Sequence, residues 1–417
     1  MTTVPKILYV FGTRPEAIKL FPLIMKSKKD SRVQTLVCST GQHREMLRSL
    51  FELFQVKPDY DFDLMTNGQS LTDVTIAVLT GLQNIFKAER PDVVVVQGDT
   101  TTCFAASVAA FQDKVKIVHV EAGLRSGDID SPFPEEFNRK ATGLIADFHF
   151  APTEDAKQNL IHDGVSENRI QVTGNTGIDA LFEIRDRIYA SPALRKTLHA
   201  DFEFLDKSKK LILVTMHRRE SFGRPMEQAM RGLLQLAERS DIQILIPLHM
   251  NPNVRECAER VLKDNAQWAD AKNESKSNHR IWLCEPQDYP SFVYLMDRAH
   301  LIITDSGGVQ EEAPSLGKPV FVARDTTERP EAIAAGTSKL IPLVATKFTA
   351  MVNEILDDEK LYKRMAQAKN PFGDGKACEK ILAAMIERYG DHSSPSENRG
   401  LPLKIPTQRF EQSTLTP

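Results

Sequence analysis

Cysteine is scarce and scattered in this chain. Cys38, Cys103, Cys257, Cys284 and Cys378 form neither the C-x-x-C pairs of a zinc ribbon nor the dense, even pattern of a secreted disulfide framework, so reduced, mostly buried thiols are expected. Long apolar runs are missing too. Nothing approaches the roughly 18 residues that a membrane-spanning helix needs, and the opening MTTVPKILYVFG lacks the basic start and apolar length of a secretion signal, so the expected location is cytoplasmic. An excess of charge of one sign is also absent. A formal net charge of -3 over 417 residues provides no field to gather nucleic acid or anionic lipid, which excludes both as expected partners. Neither G-x-G-x-x-G nor G-x-x-x-x-G-K-[ST] occurs, which argues against a hydride cofactor or a P-loop nucleotide. Histidines, cysteines and carboxylates show no metal-ligand spacing, so no cofactor and no metal are expected.

What the chain does have is ordinary globular content, 41% hydrophobic and 26% charged, spread over a length that favours two domains. Short Val- and Ile-rich runs alternate with amphipathic stretches, the pattern of βα units on a parallel sheet buried on both faces. KILYVFG (6-12), VQTLVCST (33-40), DVVVVQGDT (92-100), KIVHVEAG (116-123), DFHFAPT (147-153) and RIQVTGN (169-175) read as one set of strands. LILVTMH (211-217), IQILIPLH (242-249), RIWLCEP (280-286), HLIITDSGG (300-308) and KPVFVARD (318-325) read as a second. The expected fold class is therefore α/β, with two doubly wound domains at 1-178 and 179-364. An amphipathic helix within about 365-390 is free to pack on either domain, and 391-417, rich in Ser, Pro, Asn and Gln, reads as a low-complexity, disordered tail.

In open α/β sheets ligands sit beyond the carboxyl ends of the strands, and here those positions are polar again and again. GTRPEAIK (12-19) offers Arg14 at a helix start as a diphosphate clamp and Lys19 as a point charge, with a surface ion pair as the rival reading. TDSGGVQEEA (304-313) lets Gly307 and Gly308 bring a helix N-terminus close to a phosphate, with Glu312 one turn further for ribose hydroxyls; for an isolated Ser-Gly-Gly, a helix merely capped by Ser306 is the better explanation. His217 and Arg218 end a strand, where a histidine titrating near neutrality suits departing phosphate. The acids of HVEAGLRSGDIDSPFPEEFNR (119-139) pose the sharpest question. Asp99, Glu121 and Glu135 are placed to converge, and converging carboxylates divide into one that keeps a proton and one that stays charged. The alternative is an ion network of Arg125, Arg139 and carboxylates that only holds the loop.

GTRPEAIK, QGDTTT, HVEAGLR, SPFPEEFNR, HRRESFG, DSGGVQEEAP and TTERPEA, in this order from about residue 6 to 388, together resemble the bacterial non-hydrolysing UDP-N-acetylglucosamine 2-epimerases. The resemblance implies two Rossmann-like domains in a GT-B-like pair with the active site in the cleft, the last helix crossing back to the first domain, and a homodimer. It also implies cofactor-free interconversion of UDP-N-acetylglucosamine and UDP-N-acetylmannosamine for cell-surface polysaccharide precursors. By motif, Asp99, Glu121, Glu135 and His217 match catalytic positions, while Arg14, Lys19, Gln287, Phe292, Ser306, Gly307, Gly308, Glu312 and Arg329 match substrate-binding ones. Gln42, His43, Gln69, Arg218 and His249 correspond to an allosteric site for a second UDP-N-acetylglucosamine as activator. The alternatives are an epimerase of a modified UDP-hexosamine of the 2,3-diacetamido uronic acid type, a hydrolysing epimerase, a GT-B glycosyltransferase and a non-catalytic nucleotide-sugar sensor.

Overall fold

The computed structural model describes residues 4-42, 44-63, 69-269 and 279-390. Two wholly parallel seven-stranded sheets organise them. The first contains β1 (Lys6–Phe11), β2 (Gln34–Ser39), β3 (Tyr60–Asp61), β4 (Val93–Gln97), β5 (Lys116–Val120), β6 (Phe148–Ala151) and β7 (Ile170–Val172), in the spatial order β3-β2-β1-β4-β5-β6-β7. The second contains β8 (Lys210–Thr215), β9 (Ile242–Pro247), β10 (Ala266–Trp268), β11 (Ile281–Cys284), β12 (Leu301–Thr304), β13 (Val320–Val322) and β14 (Ser338–Leu340), in the order β10-β11-β9-β8-β12-β13-β14. Every residue of VVVVQ in β4 is buried, as continuous apolar strands covered by helices on both faces require. The two-doubly-wound-domain expectation holds. The sheets nevertheless carry three edge strands that periodicity missed, β3, β10 and β14, because runs of two or three residues are too short to show an alternation.

Each sheet reverses its winding once, between β1 and β4 in the first and between β8 and β12 in the second. Such a switch point opens a crevice at the carboxyl ends of its two strands. The first crevice is bordered by the helices Arg14–Lys29 and Thr101–Gln112, and the second by the His217–Ser221 turn and the helix Gly307–Glu312. The motif loops thus sit where topology leaves room for a ligand.

The lobes are stitched together by helix Thr176–Ala190. Its buried Ala180, Leu181, Ile184 and Ile188 belong to one apolar cluster that also takes in Leu20, Phe21 and Ile24 of the first lobe and Val293, Leu295 and Met296 of the second. Helix Ala377–Tyr389 adds Cys378, Ile381, Leu382 and Met385 to the same cluster. Its start is held by Asp179, whose carboxylate accepts from the backbone N–H groups of Ala377 (3.1 Å) and Cys378 (2.9 Å), an anion at the positive end of a helix dipole. All five cysteines are buried and unpaired. Among the described residues no helix is long and apolar enough to cross a membrane. The 391-417 segment and His43 lie outside the described residues.

Candidate active site

The first crevice is built on glutamates. Glu16, one turn into helix Arg14–Lys29, is fully buried and bends back to accept from Gly12 N (3.1 Å), Thr13 N (2.8 Å), Thr13 Oγ1 (2.7 Å) and Thr100 Oγ1 (2.6 Å). It therefore clamps the loop after β1 to the loop after β4. Burial raises its carboxyl above the usual range, against the pull of these donors. The loops approach so closely that a Cβ on Gly12 would fall 2.2 Å from Thr40 Oγ1 and 2.4 Å from Thr102 Oγ1, a space only glycine fits.

Glu121 follows β5 directly and adopts a left-handed backbone, φ +61°, a conformation that costs a non-glycine residue free energy and recurs at functional sites. The turn aims its carboxylate across the sheet edge at Lys19, whose Nζ donates at 2.6 and 2.8 Å to the two oxygens. Gln97 Nε2 and Asn175 Nδ2 (3.1 Å) donate as well. Burial acts against ionisation here, but the charge and hydrogen bonds of Lys19, with Arg329 and Asn175, leave the carboxyl below its ordinary value. Lys19 in turn is held charged by Glu121 and Glu311 despite its own burial.

Asp99, at the end of the neighbouring strand β4, stands opposite in character. Burial raises its carboxyl; Arg139, 2.7 Å away, opposes the rise, while Glu121 and Glu135 add to it. Asp99 and Glu121 thus share an electrostatic environment that separates their proton affinities, the arrangement of an acid paired with an ionised carboxylate. Asn138 fixes the Asp99 backbone by donating to its carbonyl at 2.9 Å. Glu135 begins helix Glu135–Ile145 and is half-buried, near enough for its charge to act on Asp99. The next residue, Glu136, is the fully buried one: it accepts from Ser126 N at 3.0 Å and lies 3.4 Å from Arg139. The acids of this stretch therefore part company. Glu121 enters the crevice, while Glu136 and Arg139 hold the loop.

From the second lobe, Glu312 reaches the same neighbourhood. The position a Cβ would take on Gly177 is 3.6 Å from its Oε1 and 3.8 Å from Lys19 Cε, and burial pushes its carboxyl up to about 8, with Lys19 opposing and Glu311 adding to the rise. Glu312 is therefore mostly a neutral acid near pH 7. Arg329 Nε donates to the buried Glu311, and its guanidinium stands against Gly307, whose missing side chain leaves the room. Ser306 precedes helix Gly307–Glu312 without a capping bond from its side chain. The rival reading of a simple Ser306 cap is thereby corrected: the chain turns into the helix on glycine, and a Cβ on Gly308 would meet nothing within 4 Å.

His217 follows β8. Its backbone N–H and that of Arg218 donate to Asp305 Oδ2 at 2.7 and 2.8 Å, and its Nδ1 lies 3.3 Å from Asp305 Oδ1. Burial lowers the imidazole's proton affinity, Asp305 opposes the fall, and the ring of His249, stacked at 5.2 Å and 16°, adds to it. Arg218 is half-buried, and its Nε has no hydrogen-bond partner among the described residues. Arg14 of the first lobe and Gln287 of the second line one cleft of about 560 Å³ with Ser49, Asp288 and Tyr289. Gln42 accepts from Thr102 Oγ1 at 3.4 Å beside the first crevice. Gln69 is half-buried just before helix Leu71–Glu89, and Phe292 packs against the shared apolar cluster. Among the described residues no group of three or more His, Cys, Asp or Glu is arranged to hold a metal.

Sequence reasoning missed Gln97, Asn175, Asp305 and Glu311. Three of the four stand immediately beside a named motif residue or inside a quoted motif, so adjacency was the available signal; Asn175 had only its place at a strand end.

Two parallel α/β lobes joined by a shared helix, with separated carboxyl affinities at one switch point and a glycine-opened helix start at the other, define an enzyme that works on a ligand in an interlobe cleft. The family model described as UDP-N-acetylglucosamine 2-epimerase matches residues 25–386. The chain is 51% identical over 383 residues to UDP-N-acetylglucosamine 2-epimerase of Yersinia pestis, covering 91% of this chain and 98% of that one, and 51% identical over 381 residues, with the same coverage, to that of Escherichia coli (strain K12). A crystal structure of UDP-GlcNAc 2-epimerase from Neisseria meningitidis bound to UDP-GlcNAc superposes with a TM-score of 0.82 at 43% identity, covering 92% of this chain and 100% of that one. This chain belongs to the UDP-N-acetylglucosamine 2-epimerase family and is an epimerase with a GT-B-like fold.

Proposed function

We propose that the enzyme interconverts UDP-N-acetylglucosamine and UDP-N-acetylmannosamine by eliminating UDP from C1 and the proton from C2 to a glycal, then returning UDP to C1 and a proton to the opposite face of C2. The hydrogen on C2 is not next to a carbonyl, so its direct removal would leave an unstabilised carbanion. Departure of UDP from C1 comes first or together with it, and the positive charge that develops at C1 and the ring oxygen acidifies C2. Such a reaction needs an ionised carboxylate that faces that charge and takes the C2 proton, and a protonated carboxyl that gives one back on the opposite face. The observation that carries the reading is geometric: Glu121 and Asp99 follow the adjacent strands β5 and β4, with Lys19 Nζ 2.6 and 2.8 Å from the two oxygens of Glu121 and Arg139 2.7 Å from Asp99, so that the Lys19 charge lowers the proton affinity of Glu121 while burial raises that of Asp99.

In this reading Glu121 and Asp99 form the proton-transfer pair. Ionised Glu121 takes the proton from one face of C2 and Asp99 delivers its own to the other, the two exchanging roles in the reverse direction, and Glu135 is a second acid beside Asp99. Arg14 and His217 stabilise the departing diphosphate, with Gly307, Gly308, Ser306 and Arg329 at its phosphates. Neutral Glu312 donates to the ribose, and Gln287 and Phe292 complete the nucleotide side. The UDP-GlcNAc bound to the Neisseria relative supports this substrate. A second molecule of it acts as activator beside Gln42, Gln69, Arg218 and His249, a role supported by the unpartnered Arg218 Nε. The products feed cell-surface polysaccharide synthesis in the cytoplasm. Exposed Phe111, Phe137 and Leu144, on two helices in contact, support a homodimer.

NMR of UDP-N-acetylglucosamine with the enzyme in deuterium oxide tests the reading. Deuterium is expected at C2 with the UDP linkage intact in both epimers. Binding without exchange, or release of free N-acetylmannosamine, would overturn it.

A further inference from the structure

Asn175 is 2% exposed and uses every hydrogen-bonding atom of its side chain. The two hydrogens of Nδ2 go to carboxylates of opposite lobes, to Glu121 Oε1 at 3.1 Å after β5 and to Glu311 Oε2 at 2.7 Å in helix Gly307–Glu312. Oδ1 accepts from Gly177 N at 2.8 Å, capping helix Thr176–Ala190, and the Asn175 backbone N–H donates to Phe372 O at 2.7 Å, in the segment leading to helix Ala377–Tyr389. A line of groups results: Lys19 on Glu121, Glu121 on Asn175, Asn175 on Glu311, Glu311 on Arg329. The amide lets two buried carboxylates approach without adding a charge of its own.

We propose that Asn175 is a positioning residue that couples the relative placement of the two lobes to the orientation and charge of Glu121. The inference rests on the reading of Glu121 as part of the reacting site. Gly177 opens the helix shared by both lobes, and the return segment that takes the Asn175 backbone N–H is itself bonded to Glu311, whose carbonyl accepts from Asn370 Nδ2 at 2.7 Å, so Asn175 keeps station with helix Gly307–Glu312. Any displacement of helix Gly307–Glu312 against β5 must then lengthen the 3.1 Å arm to Glu121 and leave that carboxylate to Lys19 and Gln97. Closure around a sugar nucleotide and the hold on the acid then change together, which is how a cleft enzyme commits only when its substrate is enclosed. The charged and titratable groups acting on Glu121 come from every side: Lys19 from helix Arg14–Lys29, Asp99 from the β4 loop, His119 from β5, Cys103 from helix Thr101–Gln112, and Arg329 and Glu311 from the second lobe. Asn175 differs from them in touching the acids of both lobes at once.

Asn175→Ser and Asn175→Asp both keep a side-chain oxygen to cap Gly177 N, and both remove the bridging donors. The readout is the pH dependence of kcat/KM for UDP-N-acetylglucosamine together with separate kcat and KM values. The expected results are a fall in kcat of about 10-fold or more with KM changed less than about 3-fold, and an acid limb displaced to higher pH in the order wild type, Ser, Asp, since the first change removes a donor from Glu121 and the second also adds a negative neighbour. Wild-type kcat with an unmoved acid limb in folded Asn175→Ser would overturn the proposal. If Ser fails to fold, the Asp variant alone decides by the same limb. Failure of both capped variants to fold would assign Asn175 to the fold and overturn the proposal equally. Deuterium exchange at C2 in the wild type keeps the two readings apart: without it the epimerase assignment falls and takes this inference with it, and with it an unmoved limb sinks the inference alone.

Discussion

Replacing Lys19 with methionine puts the central ion pair to the test. The ammonium touches both oxygens of Glu121, whose side chain is only 5% exposed, and its charge also lowers the proton affinities of Asp99 and Glu312. Methionine retains most of the apolar stem, so little packing is lost, and what disappears is the cation. Removing one partner of a buried pair costs about 3–5 kcal/mol, because the remaining charge is stranded. Here Gln97 and Asn175 still donate to Glu121, and Arg329 lies within electrostatic range, so the lower end, about 3 kcal/mol, is expected. The pH dependence follows from the direction of the shift. Glu121 is held below its ordinary value of 4.5, so its contribution is present above that value and lost as pH falls through the folded one. Without Lys19 the folded value rises, and the variant's deficit is fully developed near pH 7 and shrinks toward about pH 4.5, where a protonated Glu121 strands no charge. Urea denaturation at both pH values measures this, and Lys19→Met with Glu121→Gln should recover about 2 kcal/mol of the loss through non-additivity. A deficit independent of pH, or strictly additive single effects, would refute the reasoning.

Other changes reach different parts of the site. Asp99→Asn is expected to keep UDP binding by calorimetry while kcat falls about 100-fold or more, the lower range for a proton-transfer group; unchanged turnover removes Asp99 from the reaction. Gly123→Ala would put a Cβ 2.1 Å from the Ala156 carbonyl oxygen at a φ of +93°, so a destabilisation of about 3 kcal/mol is expected in chemical denaturation, and a loss under about 1 kcal/mol contradicts the close approach. Glu312→Gln bears on pH. Glu312 in the folded enzyme keeps its proton to about 8, whereas the unfolded chain releases it near 4.5, so this group lowers wild-type stability as pH rises through that window. The glutamine variant should therefore gain on wild type between about pH 5 and 8, by about 2 kcal/mol once the residue's partial exposure is allowed for; parallel stability profiles would show that Glu312 ionises normally.

The parts of the site that could be read from the sequence are those whose position is set by chain direction alone. Asp99, Glu121, His217 and Ser306 each come directly after a strand or one residue later, and Arg14 two residues later, and parallel topology sends all such residues to one edge, so strand ends sufficed to gather them. Phase around a helix is a different matter. Successive helical residues point about 100° apart, and a doublet such as Glu311-Glu312 or Glu135-Glu136 does not say which member faces the crevice and which faces its support. Glu312 and Glu135 were expected in the site, yet the partners that hold it, Glu311 on Arg329 and Glu136 on Arg139, are their neighbours in the chain. Asn175 lay further from view, since its value comes from acceptors at sequence separations of 54 and 136 residues, and the short edge strands were hidden because two or three residues carry no period. What escaped the sequence is therefore the structure that holds the site in register, and it has a common character: buried amides and ion pairs whose partners arrive from the other lobe or the adjacent helical face. Reaction chemistry needs particular groups at particular strand ends, whereas keeping two acids of unlike proton affinity a strand apart needs only some donor of the right reach, and such a requirement leaves a looser mark on the chain than the acids themselves.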